Sequence, residues 1–340
     1  MHNWRVKFNS DDIGYGYDQS RPEEKHHYPE AYAVFGRGYL KLYQATKNEE
    51  YLECAHKCYD WLMKNPSPSY SNLSWGLPWE WKEWNAPKDL SYLVTTSFVG
   101  HFFKEFSKYG EVDEELTSIK DWIILENGYF ENSTGILFYY ANHESLKFKI
   151  LNPSVLATSY LFNILNDHQE VKSLVRKSLD YIYHNQNKNG SWYYSEKNRV
   201  IDNFHTTLII ESLIDMGEKN YQIKRALQYY YNNFFISTGQ SRDIALQIRQ
   251  RRNILKAWIN YKEQLKNIEN EARLWSYGGA LRILCKSYYQ KHNEFSEQVY
   301  QYLMKNLQNT DGSFKYKSNN LSLFVRNEAH IFDGLTSMLE

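Results

Sequence analysis

At 340 residues, with 40 basic and 40 acidic side chains and a formal net charge of zero, the chain lacks the surplus of lysine and arginine that a non-specific grip on nucleic acid requires. No apolar run reaches the roughly 18 to 20 residues of a membrane span. The amino end "MHNWRVKFNSDD" also lacks the apolar stretch of a signal peptide, so the expected setting is soluble and cytoplasmic.

In chain order, the first recognisable block is "GYGYDQ" around Gly14, followed by the small-residue-rich apolar run "YPEAYAVFGRGYLKLY". The next, "EEYLECAHKCYDWLMKN", spaces its apolar residues three to four apart with Lys and Glu between, the pattern of an amphipathic helix. Cys54 and Cys58 lie one turn apart on it, and two buried thiols are the reading, because the metal spacings with known mechanics are absent. The same alternation returns with "SWGLPWEW" around Gly76 and "LVTTSFVGHFF", with "STGILFYY" around Gly135 and "NPSVLATSYLFNIL", and with "NQNKNGSWYY" around Gly190 and "IDNFHTTLIIESL". It returns last with "LQNTDGSFKY" around Gly312 and "VRNEAHIFDGLTSML". Gly190, Ser191, Trp192 and Tyr194 stand opposite Gly312, Ser313, Phe314 and Tyr316, all 122 residues apart. One copy is missing near residue 250, and restoring it gives six units of about 60 residues, the signature of a repeat architecture. The recurring glycines are read as tight turns with positive φ.

The first helix of each unit is apolar nearly all round and belongs inside; the second carries a polar face and belongs outside. Six inner helices alternating with outer ones predict an all-α fold, an (α/α)6 toroid of roughly eleven helices with no strand pair, forming a single domain over 1–340. Ring closure removes the need for capping repeats. The fifth inner helix is expected in "EARLWSYGGALRILCKSYY", 271–289, and the charged segment 240–268 as a helical insertion whose "QIRQRR" is an exposed face.

In a toroid every loop from an outer to an inner helix emerges on one rim. The Gly and aromatic loops must therefore converge on a mouth that gathers Asp18, Arg21, Trp79, Glu80, Trp81, Glu83, Tyr139, Asn152, Trp192, Tyr193, Tyr194, Asp202, His205, Arg273, Arg326, Glu328 and His330. Aromatic residues make 17% of the chain, and rings beside carboxylates, His and Arg are the inventory of a carbohydrate site. The substrate-binding candidates are Trp79, Trp81, Trp192, Tyr193, Asn152, Arg273 and Arg326. The catalytic candidates are Asp202, His205, Tyr194, Glu80 and Glu328.

Two schemes fit them. In proton transfer next to a carboxylate, His205 is the base, Asp202 fixes its ring, Tyr194 returns a proton from the opposite face, and Arg326 or Arg273 clamps the carboxylate. Hydrolysis needs two carboxylates roughly 5 to 10 Å apart, for which Asp202 with Glu80 or Glu328 are the available pairs. Asp202 and His205 stand where the last unit carries Arg326 and Ala329, so the repeat does not dictate their type. The plainer readings are that Asp202 caps a helix, worth about 1 kcal/mol, that His205 is a hydrogen-bonded core histidine, that Trp79 and Trp81 pack on the rim, and that Glu80 and Glu83 are solvated.

The block "GSW.Y…IDNFHT…ESL", read with "WGLPWEW", "NPSVLA" and "DGSFKY", resembles bacterial polysaccharide-biosynthesis proteins of the VpsJ type and, more distantly, the toroid domains of glucuronyl C5-epimerases. The resemblance runs from about residue 14 to the end. It implies an α/α toroid that makes or remodels a surface polysaccharide, with a polysaccharide or lipid-linked glycan as partner and other biosynthesis proteins beside it. The sequence departs from it in "RNEAH", where an Arg-Trp pair is usual, and in "IENEARLW" at the fifth inner helix. No metal or cofactor is expected. The function classes carried forward are a glycan epimerase, lyase or hydrolase, and a non-catalytic glycan-binding or scaffold protein. A toroidal cyclase or prenyl-handling enzyme needs a DxDD acid or a Cys and His zinc set, and neither is present.

Overall fold

The structure is a computed structural model that describes residues 12–164, 169–195, 199–243, 271–286 and 291–339. Eleven α-helices run through these residues in the alternation expected: α1 (Pro29–Thr46), α2 (Glu49–Lys64), α3 (Leu93–Phe106), α4 (Asp113–Asp121), α5 (Leu151–Ile164), α6 (Gln169–His184), α7 (Asn203–Asp215), α8 (Tyr221–Phe234), α9 (Leu274–Lys286), α10 (Lys291–Tyr302) and α11 (Val325–Thr336). The odd-numbered helices are inner. Each packs on the next, and α11 packs on α1, so the six close a ring. The even-numbered helices pack outside their predecessors. This is the α/α toroid.

Burial explains the sorting. In α1 every residue from Pro29 to Lys41 is buried, so no face remains for water, whereas α2 buries only Cys54, Ala55, Cys58 and Leu62. Those two thiols are core groups, and burial pushes Cys54 up to about 11.

The loops repeat in atomic detail. Asn187 Nδ2 donates to Ser191 Oγ at 3.0 Å and Ser191 Oγ to Asn189 Oδ1 at 2.7 Å; Asn309, Ser313 and Asp311 repeat the pattern at 3.0 and 2.6 Å. Gly190 has φ +94 and presses on α8, where a Cβ would meet Arg225 O at 2.4 Å. The missing copy is Gly239 rather than a residue near 250: its φ is +83, and a Cβ there would meet Gln298 O of α10 at 2.2 Å. Gly14 and Gly76 depart from the expected turn, having no positive φ.

Other expectations need correction. Two short antiparallel hairpins are present, β1 (Tyr15–Asp18) with β2 (Arg21–His27), and β3 (Tyr129–Asn132) with β4 (Gly135–Phe138). Four to seven residues long, they carry too few alternations to show as period two. Of the expected helical insertion, Gln240–Asp243 is loop, with Ser241 bridging Phe235 and Arg242 bridging Glu271; the rest, with "QIRQRR", lies outside the described residues. Among the described residues no helix is long and apolar enough to cross a membrane.

Candidate functional site

The amino ends of the inner helices meet on one rim, around a cavity of about 340 Å³. Trp79 and Trp81 wall it from the loop before α3, Tyr92 and Thr95 from the start of α3, Tyr140 from the loop after β4, and Glu30 and Arg326 from the first turns of α1 and α11. Ser20 and Arg21 come from the β1–β2 turn and Glu83 from the short turn after Trp81.

Arg326 organises one side. Its Nε donates to Asp18 Oδ2 at 2.8 Å and its Nη2 to Asp18 Oδ1 at 2.7 Å, a bidentate pair, while Nη1 donates to Glu30 Oε2 at 3.2 Å. Glu30 Oε1 in turn meets His330 Nε2 at 2.9 Å. Burial works to raise the Asp18 carboxyl, but Arg326 and the Ser20 hydrogen bonds outweigh it and bring it down to about 2. Glu30 is lowered in the same balance, against burial, by Arg326 and His330. Burial lowers His330, a wholly enclosed ring among Phe98, Phe204 and Trp275.

Asp202 and His205 form the second cluster, at the start of α7. Asp202 is the N-cap: Oδ1 accepts the His205 backbone N–H at 2.9 Å, and Oδ2 lies 2.6 Å from His205 Nδ1. The carboxyl is lowered because His205 and Arg273 outweigh its burial. An ionised carboxylate only accepts, so Nδ1 of the neutral ring carries the proton and Nε2 carries the lone pair. The side chain of His205 is 27% exposed. Tyr194 lies against the ring, centroids 4.4 Å apart, its hydroxyl raised by burial and by Asp202.

Neither Asp202 nor His205 lines the 340 Å³ cavity; Tyr140 joins the two. It lines the cavity, and its hydroxyl, raised mainly by burial and further by Tyr194, Tyr92 and Glu30 against Arg326, is within electrostatic reach of both clusters. A second link runs through Phe204, which stacks on Trp275 at 4.2 Å, with the Arg326 guanidinium 5.8 Å from the Trp275 ring. Arg273 lies 4.6 Å over that ring, its Nε 3.5 Å from Asp243 Oδ1 without a hydrogen bond.

The other candidates fall elsewhere. Trp192 is core, 2% exposed, its Nε1 donating to Ile182 O at 2.9 Å, as Trp75 Nε1 donates to Leu62 O at 3.0 Å one unit pair earlier. Ring burial on the toroid wall, not sugar stacking, explains it. Glu80 is exposed and Glu328 is 1% exposed, and neither lines the cavity. Asn152 is 4% exposed in the first turn of α5, outside the lining, with Oδ1 lacking a partner. Tyr193 packs partly buried on the core with Arg199 5.8 Å over its ring. The offset of 122 also runs without slip into the helices, so Asp202 matches Phe324, the N-cap of α11, and not Arg326. Residues the motifs did not single out are Ser20, Tyr28, Glu30, Tyr92, Thr95 and Tyr140; Tyr28, Glu30, Tyr92 and Thr95 share a position at the amino end of an inner helix, while Ser20 and Tyr140 come from the hairpin turn and the loop after β4.

Several buried polar atoms on this rim lack hydrogen-bond partners: Tyr28 Oη, Trp275 Nε1 and Asn327 Nδ2. Each such group costs about 1–3 kcal/mol and calls for an explanation that core packing does not supply.

The fold has many solved relatives. Over its whole length the chain is similar to cellobiose 2-epimerase from Bacillus thermoamylovorans, with TM-score 0.70, 12% identity and 95% of that chain covered. The GH76 α-mannanase of Bacteroides thetaiotaomicron matches 99% of this chain and 95% of its own, at 11% identity and TM-score 0.64. A type II terpene cyclase from Scytonema, in complex with geranylgeranyl dihydroxybenzoate, matches 99% and 96% at 11% identity and TM-score 0.61. No family model matches the sequence, and neither does any curated protein. At such identities the likeness is one of fold, and chemistry has to be read from the site.

Proposed function

We propose that this chain is a carbohydrate-active enzyme that moves a proton at a sugar carbon, an epimerase or isomerase of a glycan bound at the mouth. The observation that carries the reading is the 2.6 Å contact between Asp202 Oδ2 and His205 Nδ1, which leaves Nε2 as the base. His205 takes the proton from a C–H next to a carbonyl or carboxylate, the electron pair passes onto that group, and a proton returned to the carbon completes the exchange. Tyr194, against the imidazole, is the neighbouring acid, and Arg273 is the cation available to the developing charge, since every nitrogen of Arg326 is engaged by Asp18 or Glu30.

Hydrolysis is less well supported. A glycosidase needs one carboxylic acid held protonated, whereas Asp18, Glu30 and Asp202 are all pushed toward the ionised form. The epimerase and mannanase neighbours lend support to sugar chemistry on this fold, though not to a substrate. The setting we propose, the building or remodelling of a surface polysaccharide or lipid-linked glycan in the cytoplasm, rests on the resemblance of the loop blocks to the VpsJ type.

The test incubates purified protein with neutral and uronate-containing oligosaccharides in deuterium oxide and follows deuterium at sugar carbons. Uptake that vanishes in His205→Gln and falls at least about a hundredfold in Asp202→Asn supports the reading. Full activity in both folded variants, or glycan binding without exchange in the wild type, moves the protein to the non-catalytic glycan-binding class.

A further inference from the structure

A second cavity, of about 460 Å³, lies behind the mouth between the β1–β2 hairpin, the carboxyl end of outer helix α2 and the loop that carries Gly76. Its lining includes Lys25, Lys64 and Lys88 with one carboxylate, Asp89, which sits 4.0 Å from Lys88 Nζ; Glu24 lies at its edge, 3.1 Å from His26 Nε2, and Lys25 Nζ is 5.2 Å from the Tyr17 ring. In a chain whose formal charge is zero, this is a local cationic surplus. Its aromatic wall is rigid. Trp61 stacks on Tyr32 with centroids 4.0 Å apart and planes 4° apart, and on His27 at 5.4 Å and 18°. His27 Nδ1 is tied to the Tyr32 hydroxyl at 2.9 Å. Pro29, Pro66, Pro68 and Pro78 stiffen the remaining sides.

The two cavities are separated by the thickness of one ring pair. His26 lines the second cavity, Trp79 lines the mouth, and their centroids are 5.8 Å apart. The cationic, ring-walled cavity thus adjoins the mouth across the Trp79 and His26 rings.

We infer that this cavity is a subsite for an anionic group on the glycan, a phosphate or a carboxylate, held by Lys25, Lys64 and Lys88 beside the Trp61 face. The ring wall of Trp61 and His27 offers apolar surface to a sugar, and the three ammonium groups are mobile point charges suited to an anion whose position varies with linkage. The inference deepens the glycan reading of the mouth, yet it stands or falls without turnover.

The experiment titrates inorganic pyrophosphate into the full chain and follows heat and tryptophan emission at low and physiological salt. Saturable binding is expected, weakening with salt as exposed ion pairs do. It should weaken by at least about tenfold in the triple variant Lys25→Ala, Lys64→Ala, Lys88→Ala, because each exposed pair contributes little alone, and remain unchanged in Lys172→Ala, a lysine of α6 outside the cavity lining. The lysines are surface groups, and a thermal melt confirms that the triple variant folds. Competition then separates the sources: displacement of pyrophosphate by a glycosyl diphosphate assigns a phosphate, and displacement by a uronate oligosaccharide assigns a carboxylate. Absence of pyrophosphate binding in the wild type, or equal affinity in the triple variant, overturns the subsite. A failed deuterium exchange at the mouth does not touch it.

Discussion

The axis of the toroid has two ends, both filled with buried charge, and they differ in what borders that charge. At the closed end Arg282 Nε bonds Glu211 at 2.8 and 3.0 Å, Lys41 Nζ bonds Asp333 at 2.8 Å and Ser337 at 2.6 Å, Arg37 Nε bonds Glu105 at 2.9 Å, and Lys286 Nζ bonds Asp215 at 2.8 Å. Arg37 and Arg282 flank Asp333 as well, at 3.7 and 3.4 Å. At the mouth the Asp18, Arg326, Glu30 and His330 chain is as well paired, but it borders a cavity, indole and phenol rings, and polar atoms without partners. Buried ion pairs by themselves therefore say little about a site. The bordering cavity and rings, not the pairing, mark the mouth as the end that can take a ligand, since Asp333 Oδ2 in the plug also lacks a hydrogen bond.

The largest effect expected from breaking this contrast is at the plug. Asp333→Ala strands Lys41, Arg37 and Arg282 and should cost about 3–5 kcal/mol in urea unfolding, with no mouth residue changed. A comparable loss in Asp202→Asn would erase the distinction between the two ends. Trp192→Ala should also cost about 3–5 kcal/mol, as a core indole does, and weaken glycan binding only through unfolding. A folded, fully stable variant with weaker binding would return Trp192 to the site.

An acid titration sharpens the comparison at intermediate size. Asp18, Glu30, Glu211 and Asp333 hold protons less tightly folded than their ordinary values. The stability they add is thus complete above about pH 4.5 and is lost as pH falls through the folded values, which for Asp18 is about 2. Asp18 alone should contribute about 2 kcal/mol of this. The melting temperature should be level from pH 7 to 5 and fall steeply below 4, with a shallower fall in Asp333→Asn; a level profile to pH 2 would contradict the ion-pair account. The smallest effects belong to the rim. Asp202→Asn keeps a good cap and should change stability by less than about 1 kcal/mol while slowing exchange at least about a hundredfold. Trp79→Ala, on a half-buried ring, should leave the melt nearly unmoved and raise the glycan KM.

How much of this was legible in the sequence follows from what each signal measures. Apolar residues all round "TTLIIESLI" and "SYGGALRILC" placed α7 and α9 inside, and the matched loops at Gly190 and Gly312 gave the repeat, because both are local patterns. Topology then put Arg326, Trp79, Trp81, Asp202 and His205 on one rim. Periodicity treats Arg37, Glu211 and Asp333 as blemishes in apolar stripes; only the ring brings them together. Tyr28, Tyr92 and Tyr140 read as core for the same reason, and Trp192 read as a ligand platform because a loop sequence does not reveal that its indole turns inward to Ile182.

The ring closes between the first and last inner helices, and its bolts join the two extremes of the chain: Arg326 to Asp18, His330 to Glu30, and Lys41 to Asp333, 292 to 308 positions apart. Contacts of such separation come at the highest loop-closure entropy in the molecule and slow folding. During synthesis α1 is made with its partner helix still untranslated, so Lys41 and Glu30 wait, solvated or mispaired, until α11 has left the ribosome, whereas Arg37 meets Glu105 earlier. The mouth and the plug are thus completed by the same late event, and a chain shortened before α11 would complete neither.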